Sequence, residues 1–173
     1  AGIAFAPRAN QDPADAYAVH ALGVVHVVRE AARLRPGIRV LVVGTGEVYA
    51  GLAPAQMPAS EAATLAPVSL YAATKAAGDL ACEALARGYP GVLVRARPFN
   101  HTGPGQRREF VCPDFARQVA AIAQGERPAR MEVGNLDVQR DFSDVRDIVA
   151  GYADCLERGR HGEIYNLCSG RPV

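Results

Sequence analysis

Short apolar runs alternate with stretches of helical period along the chain. Arg39-Val40-Leu41-Val42-Val43 and Val92-Leu93-Val94-Arg95-Ala96 are runs of the kind that fill buried parallel strands. Ile164-Tyr165-Asn166-Leu167 reads as a further strand, and Ala129 to Val133 as a shorter one. A helix opens at Asp12-Pro13 and runs to about Arg33. It carries Ala18, Ala21, Leu22, Val25, Val28 and Ala32 on its inward side, and Pro36-Gly37 ends it. A second helix runs from Ser69 to about Arg87, with Leu70, Ala73, Ala77, Leu80, Ala81, Ala84 and Leu85 in period. Pro113 to Gln124 reads as a helix with Phe115, Val119 and Ile122 inward. Another spans about Val145 to Arg158, capped by Ser143 or Asp144. Residues 50–68 hold Pro54, Pro58 and Pro67, show no period and read as a surface loop over the site. The βαβα alternation predicts an α/β fold with a doubly wound, mostly parallel sheet.

Candidate chemistry gathers in one of these elements. Ser69-Leu70-Tyr71-Ala72-Ala73-Thr74-Lys75 places a tyrosine and a lysine four residues apart at a helix start. Residues i and i+4 share a helix face, so the two side chains project together. A free phenol titrates near ~10, and a nearby ammonium lowers that value and turns the phenol into a usable acid or base. Taken alone, the same spacing also suits a solvated helix. The strand before it sharpens the picture. Arg39–Val43 is followed at once by Gly44-Thr45-Gly46-Glu47, and the carboxyl ends of strands are where open α/β sheets bind ligands.

Composition narrows the class. The chain has 173 residues, 49% of them hydrophobic, and a net charge of +1. That is enough for one domain with a core. The near-neutral balance gives no electrostatic argument for nucleic acid or a membrane surface as partner. No apolar run approaches the ~20 residues of a spanning helix, and no signal peptide opens the chain, so a cytoplasmic protein is expected. Cys82, Cys112, Cys155 and Cys168 are scattered and read as buried free thiols. His20, His26, His101 and His161 also lack ligand spacing, so no metal is expected.

With strand, Thr-x-Glu, polar loop and Tyr-x-x-x-Lys in order, the chain resembles the extended short-chain dehydrogenase/reductases. These are the NAD(P)-dependent epimerases, dehydratases and reductases of nucleotide sugars. The resemblance covers nearly the whole chain. It is strongest at Arg97-Pro98-Phe99-Asn100-His101-Thr102-Gly103-Pro104-Gly105-Gln106 and from Val133 to Asp147. Both stretches are most similar to the reductases of GDP-4-keto-6-deoxy-D-mannose, with the GDP-mannose 4,6-dehydratases next.

The resemblance implies a Rossmann-like domain half over residues 1–100. Residues 101–173 would form part of a small substrate-binding region interleaved with the last Rossmann elements. It implies Tyr71 as catalytic acid/base, and Lys75 tuning it and bonding the nicotinamide ribose of NADP or NAD. Thr45 would hydrogen-bond the reacting oxygen of the sugar. Pro98 and Asn100 would lie at the nicotinamide, Asn100 also touching the sugar. Arg140 would meet the substrate diphosphate, with Arg107, Arg108 and Arg146 as weaker candidates, and Glu163 would reach the nucleotide ribose. Glu47 matches the glutamate that abstracts the C5 proton in the dehydratases, and equally a carboxylate without that use. A GDP-sugar is the implied substrate and a homodimer the implied assembly. A reductase giving GDP-D-rhamnose, a 4,6-dehydratase and a truncated non-catalytic scaffold all stay open.

Two features depart from the family pattern. His20 stands where Asn is usual, and Ile3 where a polar residue is common. No G-x-G-x-x-G or G-x-x-G-x-x-G follows a first strand, and Gly103-Pro104-Gly105 is no substitute, because proline offers no N–H to a phosphate. Either no dinucleotide is needed, or the chain is a fragment. The second is preferred, because Ala1 to Pro7 resembles the end of the family's fourth strand. The missing half would be roughly 60 residues or more, at ~30 per βαβ unit.

Overall fold

The structure, a computed structural model, describes Gly2, Ile3 and residues 6–173, with Ala6 described in its backbone alone. Three parallel strands form the main sheet in the order β1 (Arg39–Val43), β2 (Val92–Pro98), β5 (Ile164–Leu167). Arg39 pairs with Val92 and Val43 with Ala96, while Arg95 pairs with Ile164 and Pro98 with Leu167. All three strands therefore end on one side. Side chains alternate across a strand, and β2 shows both faces in use. Leu93 joins Val28, Cys82, Ala86 and Tyr89 in a core cluster beneath α3 (Gly23–Leu34) and α4 (Leu70–Ala86). On the other face Val94 meets Gly159, just beyond α6 (Val145–Arg158). Helices on both faces of a parallel sheet make the doubly wound α/β fold that the alternation predicts.

The first helix departs from its expected form. A short α1 (Ala6–Gln11) precedes it, and Asp12 caps α2 (Pro13–Tyr17) by accepting the Asp15 N–H at 3.0 Å. A π-turn over Ala18–Leu22 then separates α2 from α3. A π-turn inserts one extra residue and rotates the inward face. Val28 is buried and Ala32 packs on the core, as expected. Up to the end of the turn the buried residues are Ala16 and His20, while the expected Ala18 and Leu22 are exposed. Part of the expected strand end at Ala1 to Pro7 lies outside the described residues.

Helix α4 also turns a different face inward. Ala72, Thr74, Ala76, Gly78, Asp79, Cys82 and Ala86 are buried, while Leu70 and Leu80 are 43% and 55% exposed. Close packing explains this: a Cβ on Gly78 would come within 2.2 Å of the His20 carbonyl oxygen. Only small side chains fit that contact, so the larger ones face away.

After the main strands the chain builds a second, two-stranded parallel sheet, with β3 (Asn100–Thr102) beside β4 (Phe142–Asp144). Helix α5 (Val111–Ala123) turns Gln118 inward rather than Val119. No strand forms at 129–133. Instead the Gln118 side chain donates to the Glu132 carbonyl and accepts its N–H, at 2.9 and 2.8 Å, as a neighbouring strand would. Asp144 caps α6 through the Arg146 N–H at 2.8 Å. Among the cysteines, Cys82 and Cys155 are buried, but Cys168 is exposed, contrary to expectation.

Candidate active site

The carboxyl ends of β1 and β2 and the first turns of α4 converge on one spot. Gly44 leaves β1 with its N–H bonded to the Ala96 carbonyl at 2.7 Å. Thr45 follows in extended backbone and caps the short 3₁₀ turn Gly46–Tyr49, its hydroxyl accepting the Glu47 N–H at 3.3 Å. Gly46 is required by close approach, because a Cβ there would stand 2.7 Å from the Phe99 ring. On the facing element, Ser69 caps α4 by accepting the Ala72 N–H at 3.1 Å and sets Tyr71 in the first turn.

Tyr71, Thr45 and Glu47 meet. The Thr45 side chain stands close enough to the Tyr71 phenol to favour its charged form. Burial pushes the Tyr71 pKa up to about 12, the Glu47 carboxylate adds to the rise, and the Thr45 side chain pulls the other way. At neutral pH the group is a phenol with a proton to give. Lys75 does not lower that pKa as the i, i+4 spacing predicts. Its ammonium donates instead to the Val43 carbonyl at 2.8 Å, and its own pKa is lowered, chiefly by burial, with Asp79 opposing. Glu47 keeps an exposed edge, yet burial raises its carboxyl pKa while Arg140 opposes. Tyr152 of α6 stands close enough to Tyr71 to add to its rise; nothing in its helical spacing singles it out.

The remaining expected residues divide. Pro98 is buried at the end of β2, and Asn100 opens β3 two residues later, so both sit at the same strand ends as Thr45. Arg140 is exposed and near Glu47; its backbone pairs with Val173 at 2.8 Å in both directions. Glu163 is not brought to the site. Its carbonyl accepts the Arg95 N–H just before β5 begins, so the whole strand separates it from the site end. Arg146 is held by Asp144, and its guanidinium points along that exposed pair.

Behind the site lies a buried polar network. Arg95 and Arg97 project from the same face of β2 onto Asp79, at 3.0 Å and 2.6 Å. Arg97 also donates to the Tyr49 hydroxyl, and Tyr49 donates to Asn166 at 3.2 Å. This network fixes α4 against the sheet one helical turn beyond Lys75. Among the described residues no group of His, Cys, Asp and Glu could hold a metal ion. No helix of these residues is long and apolar enough to cross a membrane.

With this geometry in place the family follows. Residues 1–168 match the NAD dependent epimerase/dehydratase family. The chain belongs to that family. It is 38% identical to the GDP-6-deoxy-D-mannose reductase of Pseudomonas aeruginosa, covering 99% of this chain and 56% of the relative. It is 29% identical to the GDP-6-deoxy-D-talose 4-dehydrogenase of Aggregatibacter actinomycetemcomitans, covering 98% and 54%. The solved structure of RMD from P. aeruginosa with NADPH superposes with a TM-score of 0.94 at 36% identity, covering all of this chain and 59% of that one. A dTDP-glucose 4,6-dehydratase of Streptomyces venezuelae with NAD bound superposes at 0.83, with 28% identity and 100% and 51% coverage. The chain thus spans about half the length of the curated relatives it matches. Its relatives are nucleotide-sugar reductases and dehydratases, and structures of the family hold NADPH or NAD.

Proposed function

We propose that this chain is the catalytic half of an NAD(P)H-dependent reductase. It would act on the 4-keto group of GDP-4-keto-6-deoxy-D-mannose and give GDP-D-rhamnose. The observation that carries the reading is the half-buried Tyr71 phenol at the strand ends, held protonated by desolvation and the Glu47 carboxylate, with the Thr45 side chain beside it. The likeness to the P. aeruginosa reductase supports the choice of sugar.

The donor set present fits the nicotinamide half of a dinucleotide. A phenol and an ammonium lie one turn apart beside Val43 and Gly44, with Pro98 and Asn100 across from them. Tyr71 and Lys75 would hold the ribose, and Pro98 and Asn100 the ring. When bound, the reduced cofactor supplies the hydride. The chain's own residues do the rest. Thr45 and Tyr71 orient the sugar C4 oxygen, and Tyr71 gives its proton to that oxygen as charge develops there. Asn100 positions the sugar by its amide. Arg140 offers a planar fork to the diphosphate. We place the pyrophosphate loop in a preceding half of the protein and substrate binding mainly in residues 101–173. We also assign the assembly to a homodimer that covers the exposed Leu70 and Leu80 of α4, in the cytoplasm.

A dehydratase is the second reading, and Glu47 favours it. The carboxyl stands beside Tyr71 with a raised pKa, where a proton-abstracting base would be tuned toward neutrality. The test uses the complete protein, with its N-terminal half, mixed with GDP-4-keto-6-deoxy-D-mannose and NADPH or NADH. Reduced cofactor is consumed, and Tyr71→Phe slows consumption by roughly 10²–10⁴-fold, the usual worth of a positioned proton donor. Conversion of GDP-mannose to its 4-keto sugar, with no consumption, moves the assignment to the dehydratase. Silence on both sugars removes the GDP-sugar assignment.

A further inference from the structure

His20 takes no part in the proposed proton transfer, yet it packs on Tyr71, Thr74 and Gly78 of the Tyr71 helix. It is 5% exposed and sits in the π-turn. Its ring joins the Ile3 segment to helix α4. Nε2 accepts the Ile3 N–H at 2.9 Å. Nδ1 lies 2.8 Å from the Thr74 hydroxyl, which donates at 2.8 Å to the Tyr71 carbonyl. The ring meets the Tyr71 ring edge to face, 5.7 Å between centroids at 87°. With Lys75, Gly78 and Asp79 it also lines a cavity of about 20 Å³, the size of a single water.

These bonds determine the tautomer. A backbone N–H can only donate, so Nε2 is bare. A neutral imidazole then carries its proton on Nδ1. The Thr74 hydroxyl has spent its proton on the Tyr71 carbonyl, so its oxygen accepts from Nδ1. The chain of donors runs one way, from His20 through Thr74 to the first turn of α4. A second proton, on Nε2, would point at the Ile3 N–H.

We propose that His20 is a positioning residue for the Tyr71–Lys75 pair: as the Nδ1–H tautomer it fixes the first turn of α4 against Ile3 and the π-turn, and protonation releases that hold. The proposal rests on the oxidoreductase reading of Tyr71 and deepens it. The groups facing the ring favour the neutral form. Burial and the Lys75 ammonium of α4 hold the pKa below 6.5, while the Ile3 backbone and, more weakly, Asp15 of α2 oppose. The Tyr71 phenol, protonated at these pH values, and the Thr74 hydroxyl add no charge.

The test has two arms on the complete protein. In the first, ¹⁵N-histidine NMR of the wild type at pH 7 reads the tautomer, with His20 assigned by the His20→Asn variant. The expected state is protonated at Nδ1 and bare at Nε2, and titration below pH 6.5 moves the Tyr71 ring signals with it. An Nε2–H or doubly protonated ring at pH 7, or Tyr71 signals indifferent to the titration, overturns the proposal. This arm needs no turnover, so an inactive wild type would overturn the functional reading and leave this one to the spectrum. In the second arm, His20→Phe keeps the ring contact and loses both bonds. It lowers kcat about ten-fold, as expected for two lost hydrogen bonds, with KM for the sugar unchanged. His20→Asn restores a donor and an acceptor, recovers most of that loss and removes the fall in kcat below pH 6.5. A His20→Phe enzyme with the wild-type kcat and the same acid limb overturns the proposal. Should His20→Phe not fold, His20→Asn and the spectrum decide.

Discussion

Arg97 and Arg140 are the same residue type in one small protein, and they stand in opposite settings. Arg97 is 4% exposed and bonds to Asp79, Tyr49 and the Glu61 carbonyl. Arg95 shares the same Asp79. Every group there is satisfied within the fold; among the described residues no buried side-chain nitrogen or oxygen lacks a partner. Arg140 is exposed at the rim near Glu47, and among the described residues its guanidinium bonds only to the Gln139 carbonyl. A buried guanidinium with every nitrogen partnered is a structural bolt, and an exposed one with donors to spare suits a ligand. Burial, not residue type, sets the two apart.

The sharpest way to break this contrast is at its buried end. Asp79→Ala leaves two buried guanidiniums without their shared carboxylate. Removing one partner of a buried pair costs on the order of 3–5 kcal/mol, so chemical denaturation should show a loss of that size. A loss below ~1 kcal/mol would mean that the network is not structural. The variant also deprives Lys75 of the neighbour that opposes the fall in its pKa.

At the rim the expected effects reverse. Arg140→Ala leaves the denaturation midpoint within about 0.5 kcal/mol, as surface changes do. It raises KM for the nucleotide sugar roughly 10- to 100-fold, the worth of a charge-assisted bond to an anion. Arg146→Ala is the control with the smallest effect, because its guanidinium is already spent on exposed Asp144; stability and KM both stay unchanged. Equal KM effects at Arg140 and Arg146 would remove the diphosphate role from Arg140.

The sequence made the site more legible than the packing around it. Strands β1 and β5 and helix α6 stand at the residues that the apolar runs and caps predict. Thr45 and Tyr71 meet because strand end and helix start are adjacent in a βα unit. The misplaced faces come from causes that periodicity does not carry. A π-turn rotates the helix before α3, and the Gly78–His20 approach inverts the face of α4. A Gln side chain takes the place of a strand at Glu132. The raised pKa of Tyr71 depends on burial and on Glu47, and both arise only when separate elements close on each other. Glu163 was placed by likeness alone, and the direction of β5 sends it to the far end.

One labelling experiment tests the central claim most directly. The complete protein is given GDP-4-keto-6-deoxy-D-mannose and reduced cofactor deuterated on the transferable position of the nicotinamide, and the sugar product is read by NMR and mass. A 4-keto reductase places one deuterium at sugar C4, at a rate that collapses in Tyr71→Phe. A product without deuterium at C4, or the same rate of C4 labelling in Tyr71→Phe, contradicts the account.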